Sequence, residues 1–258
     1  MRLTKLPAPL LLGLASVFGG LIVWTAIVHS GMLSSRLVPS PFDLIAQTVS
    51  LLSGGYVSTP LYAHVGASLA RTLVGFTIAV LLGVPLGLLV GRVKTLEALF
   101  FPWFAFLRPI PAIAFVPLVI LWFGIGEFSK ISVIFFSSFL YITVQTIAAV
   151  KGVPEQLLRA GSSLGAKHRK LFLYVILPAA LPQILTGIRI GSAVSWTLVV
   201  AAELVAAQVG LGYMIMDAAT FFRVKDVYVG LIAIGIIGFL LESTIAFVEQ
   251  KVVHWHGK

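Results

Sequence analysis

Cysteine is absent from this chain of 258 residues, and charged residues make up only 10% of it. The lack of cysteine excludes a disulfide framework and thiol chemistry. Soluble domains carry about 25% charged residues, so a chain this poor in charge cannot cover a globule with polar surface. Because 59% of the residues are hydrophobic, the composition indicates a helical integral membrane protein.

The sequence also lacks the groups from which an enzyme would be built. Its five histidines fall in predicted loops or at span ends, and no H-E-x-x-H metal motif is present. There is no G-x-x-x-x-G-K-[ST] phosphate loop, so any ATP would have to be bound by another polypeptide. We therefore expect a chain that is not an enzyme and that binds no metal or cofactor of its own.

Apolar runs are what the sequence has in abundance, and a helix needs about 20 such residues to cross a bilayer. Six runs are long enough, at residues 9–28, 62–91, 98–123, 131–150, 183–207 and 227–249. We expect one membrane domain over 1–258, with its core at about 62–250. The net charge is +9. Lys and Arg concentrate on one side of the predicted spans, which favours cytoplasmic N- and C-termini rather than a nucleic-acid partner.

Prolines interrupt the third run, where Pro109, Pro111 and Pro117 stand in an apolar stretch. Proline lacks a backbone donor and breaks a helix. Irregular backbone at membrane depth survives only where protein buries it or where it lines a water-filled path. Arg108 stands at this break, and it could either line a path or extend to the membrane interface.

Polar groups inside the other runs complete the set of candidates for a translocation path. The candidates are Arg108, Pro109, Pro111, Tyr141, Thr143, Gln145, Ser192, Ser195, Trp196 and Glu203. An acid inside a span is a functional candidate by default, although Glu203 lies near a helix end, where it could simply be hydrated or hydrogen-bonded. Each of the other polar groups could equally form a hydrogen bond between helices.

Two stretches carry local helix signals. Ser40 is a suitable N-cap, Pro41 fits the first helical position and Asp43 the first turn, so a short helix is predicted in the loop after the first span. The second run carries small residues spaced four apart, a pattern that predicts close helix packing in lipid. These small residues are Gly75, Ala79, Gly83, Gly87 and Gly91.

A basic segment marked by prolines separates the fourth and fifth runs, at about residues 151–182. Glu155 to Ser163 can form a short helix, and Gly165 is a natural C-terminal stop. The charges of residues 167–170 keep the next turn in water, and Pro178 and Pro182 are expected at the start of the fifth span. The pattern predicts a helix–turn–helix on the cytoplasmic side.

This segment resembles the EAA loop in the permease subunits of bacterial ABC importers, whose pattern is E-A-A, three residues, G, nine residues and I-x-L-P. Gly165 matches the glycine, and Val175-Ile176-Leu177-Pro178 matches the final element with valine for isoleucine. The leading triplet is Arg159-Ala160-Gly161, in which only the alanine matches and arginine replaces the glutamate.

Further blocks resemble the nitrate/sulfonate/taurine/bicarbonate permease subfamily. They are Pro39 to Ile45, Arg108 to Lys130, Ile176 to Gly191 and Val199 to Ile215. The C-terminal Trp255-His256-Gly257 is most similar to taurine permeases. The resemblance implies a type I ABC importer permease fold in the bacterial inner membrane.

The resemblance to this subfamily also implies that two permease copies form the path for a small anion such as taurine or another alkanesulfonate, with nitrate or bicarbonate as alternatives. Two ATP-binding subunits, carrying ATP and Mg, would dock on the loop, and a periplasmic or lipid-anchored binding protein would deliver the substrate. The residues implied in ATPase coupling are Arg159, Ala160, Gly161, Ser162, Leu164, Gly165, Ala166, Lys167, Leu177 and Pro178. A stand-alone secondary transporter is less favoured, because it would show paired broken helices and only one broken segment is visible.

Overall fold

The computed structural model describes residues 8–31, 34 and 37–253, and over these residues the chain folds into eleven α-helices. A 3₁₀ turn, Ala112–Phe115, precedes α5, and a π-helical turn, Phe172–Ile176, joins α8 to α9. The helices are α1 (Ala8–His29), α2 (Pro41–Ser53), α3 (Leu61–Arg92), α4 (Lys94–Leu107), α5 (Val116–Phe123), α6 (Glu127–Lys151), α7 (Glu155–Ser163), α8 (His168–Leu171), α9 (Leu177–Ala206), α10 (Leu211–Thr220) and α11 (Val224–Val252).

Five helical segments of the described chain are long and apolar enough to cross a membrane. They are α1, α3, α6, α11 and the continuous segment His168–Val205. A sixth is obtained if α4 and the following stretch Ala112–Phe123, which are bent by 91° at their break, are counted as one span. The prediction of about six spans and of a break at the prolines is confirmed. The helix ends before Pro109 because that residue and Pro111 cannot donate to the backbone ladder.

The centre of the bundle is the contact of α3 with α6, where small residues let the two helices approach. A Cβ added to Gly87 would lie 2.5 Å from Cβ of Thr146, and one added to Gly75 would lie 2.8 Å from Cγ2 of Ile134. Helix α9 approaches α6 in the same way, since a Cβ on Gly187 would lie 2.7 Å from Cβ of Gln145. The close packing predicted for the small-residue face is therefore confirmed.

The start of the fifth span differs from the prediction. The helical segment begins at His168 rather than near residue 183, so Pro182 lies inside α9 and only Pro178 falls in its first turn. In the π turn, the amide of Leu177 bonds to the carbonyl of Phe172, five residues earlier. This wider turn shifts the backbone hydrogen bonds from an i→i−4 to an i→i−5 pattern just before Pro178. Pro178 has no backbone N–H and could not have donated a bond in either pattern.

Helices α2 and α10 cover the end of the bundle at which α3 and α6 begin. The predicted N-cap is confirmed, because the Ser40 hydroxyl accepts from the amide of Asp43 and the Asp43 side chain accepts from the amide of Ser40. Bonds from Lys225 and Ser40 lower the pKa of Asp43 to about 2. Helix α10, which the sequence did not predict, buries Leu211 and Met214 in the main apolar cluster. We call this the α10 end, and the opposite end, which carries α7, the α7 end.

Candidate translocation path and coupling segment

Helix α7 ends in a glycine turn at the α7 end of the bundle. Gly165 has φ +81°, a left-handed conformation that glycine adopts at little cost. Its amide donates to the carbonyl of Ser162 at 3.0 Å, and the amide of Ala166 donates to the carbonyl of Gly161 at 3.0 Å. These two bonds define a Schellman motif. Gly165 therefore terminates α7 as the sequence predicted.

The inner side of α7 packs on the helical turns that follow it. Gly161 is buried, and a Cβ there would lie 2.9 Å from Leu171 Cδ1 and 2.9 Å from Val175 Cγ2. Leu177 packs on a second apolar cluster that includes Ala180 of α9, and Pro178 is half-buried. Gly161 thus packs α7 on α8 and the π turn, and Leu177 shares an apolar cluster with Leu158 of α7, so these two residues face inward.

The outer side of α7 is free in this chain. Leu164 is 89% exposed, which is unusual for a leucine at a helix end. Arg159, which replaces the glutamate of the resembling motif, pairs with Glu155 one turn earlier at 2.9 Å, and both side chains are exposed. The coupling candidates on or beside this face are Arg159, Ala160, Ser162, Leu164, Gly165 and Lys167, with Ala166 half-buried. The face carries small, apolar and charged groups, and most of its side chains are exposed.

A series of three cavities lies along α6. The upper cavity, of about 480 Å³, lies between the break after α4 and helices α6 and α9. The lower cavity, of about 740 Å³, lies between α4 and α6 and includes Glu97 and Lys151 of the α7 end. A third, small cavity of about 20 Å³ shares Arg108 and Tyr141 with both of them; we call it the neck, and it is lined by Arg108, Leu140, Tyr141, Val144 and Gln145.

The structure divides the predicted path residues into two groups. Arg108, Pro109, Pro111 and Tyr141 line the upper cavity, and Gln145 lines the neck. Ser192, Ser195, Trp196, Glu203 and Thr143 are buried and do not line any of the three cavities.

The second group forms mostly local or interhelical hydrogen bonds. The Ser195 hydroxyl lies 2.6 Å from that of Ser138 on α6, and Ser192 bonds within its own helix. The Trp196 indole N–H donates to the carbonyl of Ile234 on α11 at 3.0 Å. Ser195 and Trp196 fit the alternative that the sequence left open, in which polar groups in spans join helices. Ser192 bonds only locally, and the buried Thr143 hydroxyl has no hydrogen-bond partner among the described residues.

Glu203 is the centre of a buried ionic network at the α10 end. Its carboxylate accepts from the Ser68 hydroxyl at 2.9 Å, from Arg71 at 2.6 Å and from the amide of Gly212 at 2.9 Å. Arg71 also binds Glu127 with two nitrogens, at 2.6 and 2.7 Å, and Lys130 lies 2.8 Å from the same acid. The network therefore ties α3, α6, α9 and the start of α10 together.

Gly210 brings the chain over this network. Its φ is +144°, and an added Cβ would overlap the Glu203 carboxylate. The next amide, of Leu211, donates to the Ser68 hydroxyl at 2.9 Å. Sequence reasoning singled out Glu203 and gave Arg71 no role. A signal was present, because an arginine within one span and an acid within another are expected to pair.

The described chain is a bundle of membrane-spanning helices with open cavities along α6 and an exposed short helix at one end, an arrangement compatible with a membrane permease. A family model described as "Binding-protein-dependent transport system inner membrane component" matches residues 83–254. The chain belongs to this family. The match runs from within α3 to the end of α11, so it covers α7 and all three cavities.

Curated relatives agree over nearly the whole chain. The taurine transport system permease protein TauC of Escherichia coli (strain K12) is 38% identical over 92% of this chain and 87% of its own length. The nitrate import permease protein NrtB of Synechocystis sp. is 35% identical over 90% of this chain and 86% of its own length. The resemblance to the nitrate/sulfonate/taurine/bicarbonate subfamily is confirmed, although Trp255-His256-Gly257 lies outside the described residues.

The fold is also that of a solved transporter. An inward-facing structure of the MetNI methionine ABC transporter superposes with a TM-score of 0.64, at 21% identity, over 74% of this chain and 95% of the matched chain. The predicted type I importer permease fold is confirmed by this similarity together with the family match.

Proposed function

We propose that this chain is the transmembrane subunit of an ATP-driven importer and that two copies form the path for a small anion. The free face of α7 is the observation that carries the proposal. A nine-residue helix with an exposed leucine, held on its other side by Gly161 and closed by Gly165, is suited to a cleft on a cytoplasmic partner. The partner we propose is a pair of ATP-binding subunits, which would hold ATP and Mg.

The packing of α7 gives it a direct connection to the path. Gly161 contacts the turns that lead into α9, and α9 contributes Ala193, Thr197 and Leu198 to the wall of the upper cavity. A displacement of α7 by the ATPase would therefore be transmitted to that wall. This connection is the physical basis of the coupling that we propose.

The charge distribution supports a cytoplasmic α7 end. This end carries eight cations, and short cytoplasmic segments are enriched in Lys and Arg. They are Arg92, Lys94, Lys151, Arg159, Lys167, Arg169, Lys170 and Lys251. The α10 end would then face the periplasm and receive a periplasmic or lipid-anchored binding protein, and both termini would be cytoplasmic in the bacterial inner membrane.

Taurine or another alkanesulfonate is the substrate that we propose, because the taurine permease matches at 38% identity over 92% of the chain. Nitrate or bicarbonate is the alternative, since the nitrate permease matches at 35%. All of these substrates carry a negatively charged oxyanion group, so the same class of path would serve each of them.

The test is reconstitution of the chain into proteoliposomes with candidate ATP-binding and substrate-binding subunits from the same organism. We expect the ATP-binding subunit to co-purify with the permease, and we expect taurine uptake that depends on ATP and on both partners. Nitrate in place of taurine is the second probe. Uptake that persists without ATP or without the ATP-binding subunit would contradict the proposal and favour a secondary transporter.

A further inference from the structure

Two side chains, those of Arg108 and Tyr141, line the upper cavity, the neck and the lower cavity alike. Arg108 follows the last residue of α4, at the proline break, and Tyr141 lies on α6. These two side chains therefore lie where the three cavities adjoin. The neck is the smallest of the three, at about 20 Å³.

The charge at the neck is unbalanced. Among the residues that line the three cavities, Arg108, Glu97 and Lys151 are charged. Glu97 and Lys151 pair with each other at 2.5 Å, so their charges compensate. Arg108 has no ion pair or side-chain hydrogen bond to any other residue that the structure describes. Its guanidinium is left as a net positive charge beside the neck.

The neck lies near the middle of a membrane span. Tyr141 is about 15 Å along α6 from Lys151 and about 20 Å from Glu127, at a rise of 1.5 Å per residue. An unpaired cation at this depth is costly unless it faces water or a counter-ion. The structure therefore supports a role for Arg108 beside a cavity rather than at the membrane interface.

We propose that Arg108 is the residue that selects anions in the path, and this assignment rests on the proposed function. Its guanidinium presents a fork of N–H donors that matches two oxygens of a sulfonate, nitrate or bicarbonate group. The hydroxyl of Tyr141, which lines the same three cavities, offers a further donor. In a dimer each copy brings its own Arg108, and a pair of arginines in a constriction favours anions and repels cations.

The experiment compares variants of Arg108 in the complete transporter, reconstituted in proteoliposomes with taurine as the probe. We expect Arg108→Gln to lower ATP-dependent uptake by about 10- to 100-fold, the loss expected for a hydrogen bond to a charged group. Arg108→Lys keeps the charge and should retain more uptake than Arg108→Gln. The control is Arg189→Gln, which removes the same charge from α9 outside the three cavities, breaks only a partly exposed 3.4 Å pair with Glu249 and should transport like the wild type.

A chemical rescue separates charge from folding. Because the chain has no cysteine, Arg108→Cys introduces a single thiol into this subunit. Reaction with aminoethyl methanethiosulfonate restores a positive charge and should recover part of the uptake. Reaction with sulfonatoethyl methanethiosulfonate adds a negative charge and should not recover it. Arg189→Cys, treated in the same way, should not respond to either reagent.

The outcomes distinguish this assignment from the proposed function. Wild-type vesicles without ATP-dependent uptake of taurine or nitrate would contradict the function and the assignment with it. If the wild type takes up the substrate and Arg108→Gln takes it up equally well, only the assignment of Arg108 is overturned. Loss of uptake in every variant, Arg108→Lys included, with no rescue by the cationic reagent, would also overturn it, because the role of Arg108 would then be structural.

Discussion

Arg71 joins two carboxylates that come from different helices, Glu203 of α9 and Glu127 of α6. The Glu203 side chain is completely buried, so its charge depends on Arg71 and on its other donors for compensation. Lysine could not replace this arginine, because a single ammonium cannot present a planar fork to both acids.

At the residue scale, we expect Arg71→Leu to lower the free energy of unfolding by about 3–5 kcal/mol, the cost of removing one partner from a buried ion pair. Thermal unfolding in detergent, followed by tryptophan fluorescence, measures the change. Arg159→Leu is the control, since it breaks an exposed pair worth less than about 1 kcal/mol. Equal losses in the two variants would show that the network does not stabilise the fold.

At the element scale, the contact of α3 with α6 depends on glycines rather than on large apolar side chains. Where two helices meet in lipid, close approach of backbones replaces the hydrophobic driving force available in water. Gly87 lies where the separation is smallest, because an added Cβ would overlap Thr146. Gly66, on the same helix, has no atom within 4 Å of an added Cβ.

This pair of glycines gives a matched prediction. Gly87→Ala should destabilise the protein by about 1–3 kcal/mol, the usual cost of overpacking. Gly66→Ala should leave stability unchanged or raise it slightly, because alanine favours helix more than glycine does. Unfolding in detergent by heat compares the two variants with the wild type. If Gly87→Ala is as stable as Gly66→Ala, the prediction is wrong, because α3 and α6 can then move apart to make room for the methyl group without loss of stability.

The sequence was informative about elements that depend on local signals. Span lengths followed from apolar runs, the start of α2 from Ser40 and the end of α7 from Gly165. Helix α10 was missed because its ten residues are too short to be read as a span. The π turn was missed because Pro178 and Pro182 fit the start of a helix equally well. The Arg71–Glu203 pair joins residues 132 positions apart, and only the tertiary fold brings them together.

At the scale of the whole molecule, the proposed importer depends on a partner at the α7 end. We expect Gly165→Asp to leave the permease in the membrane and to reduce co-purification of the ATP-binding subunit by about tenfold. The substitution would place a charge in the interface that we propose with the ATP-binding subunit, at an exposed turn with φ +81°. Co-expression followed by affinity purification measures the ratio of the two subunits.

Two further variants act as controls. Gly165→Asn tolerates the left-handed turn without adding a charge, so it should retain more of the ATP-binding subunit than Gly165→Asp. Ser53→Asp adds the same charge to an exposed site at the α10 end and should not affect docking. If the ATP-binding subunit co-purifies with Gly165→Asp as well as with the wild type, α7 is not part of the docking surface.

The uninterrupted helical segment His168–Val205 has a mechanical consequence. The 30 residues of α9 form a rod about 45 Å long, and a tilt of about 10° at its base would swing the far tip by about 8 Å. That tip carries Glu203, which Arg71 holds at 2.6 Å. Helix α9 therefore cannot tilt at the π turn while Glu203 stays bound to a stationary Arg71. Either α3 moves together with α9, or the ion pair between Arg71 and Glu203 breaks. In the second case the α7 end and the α10 end change conformation together.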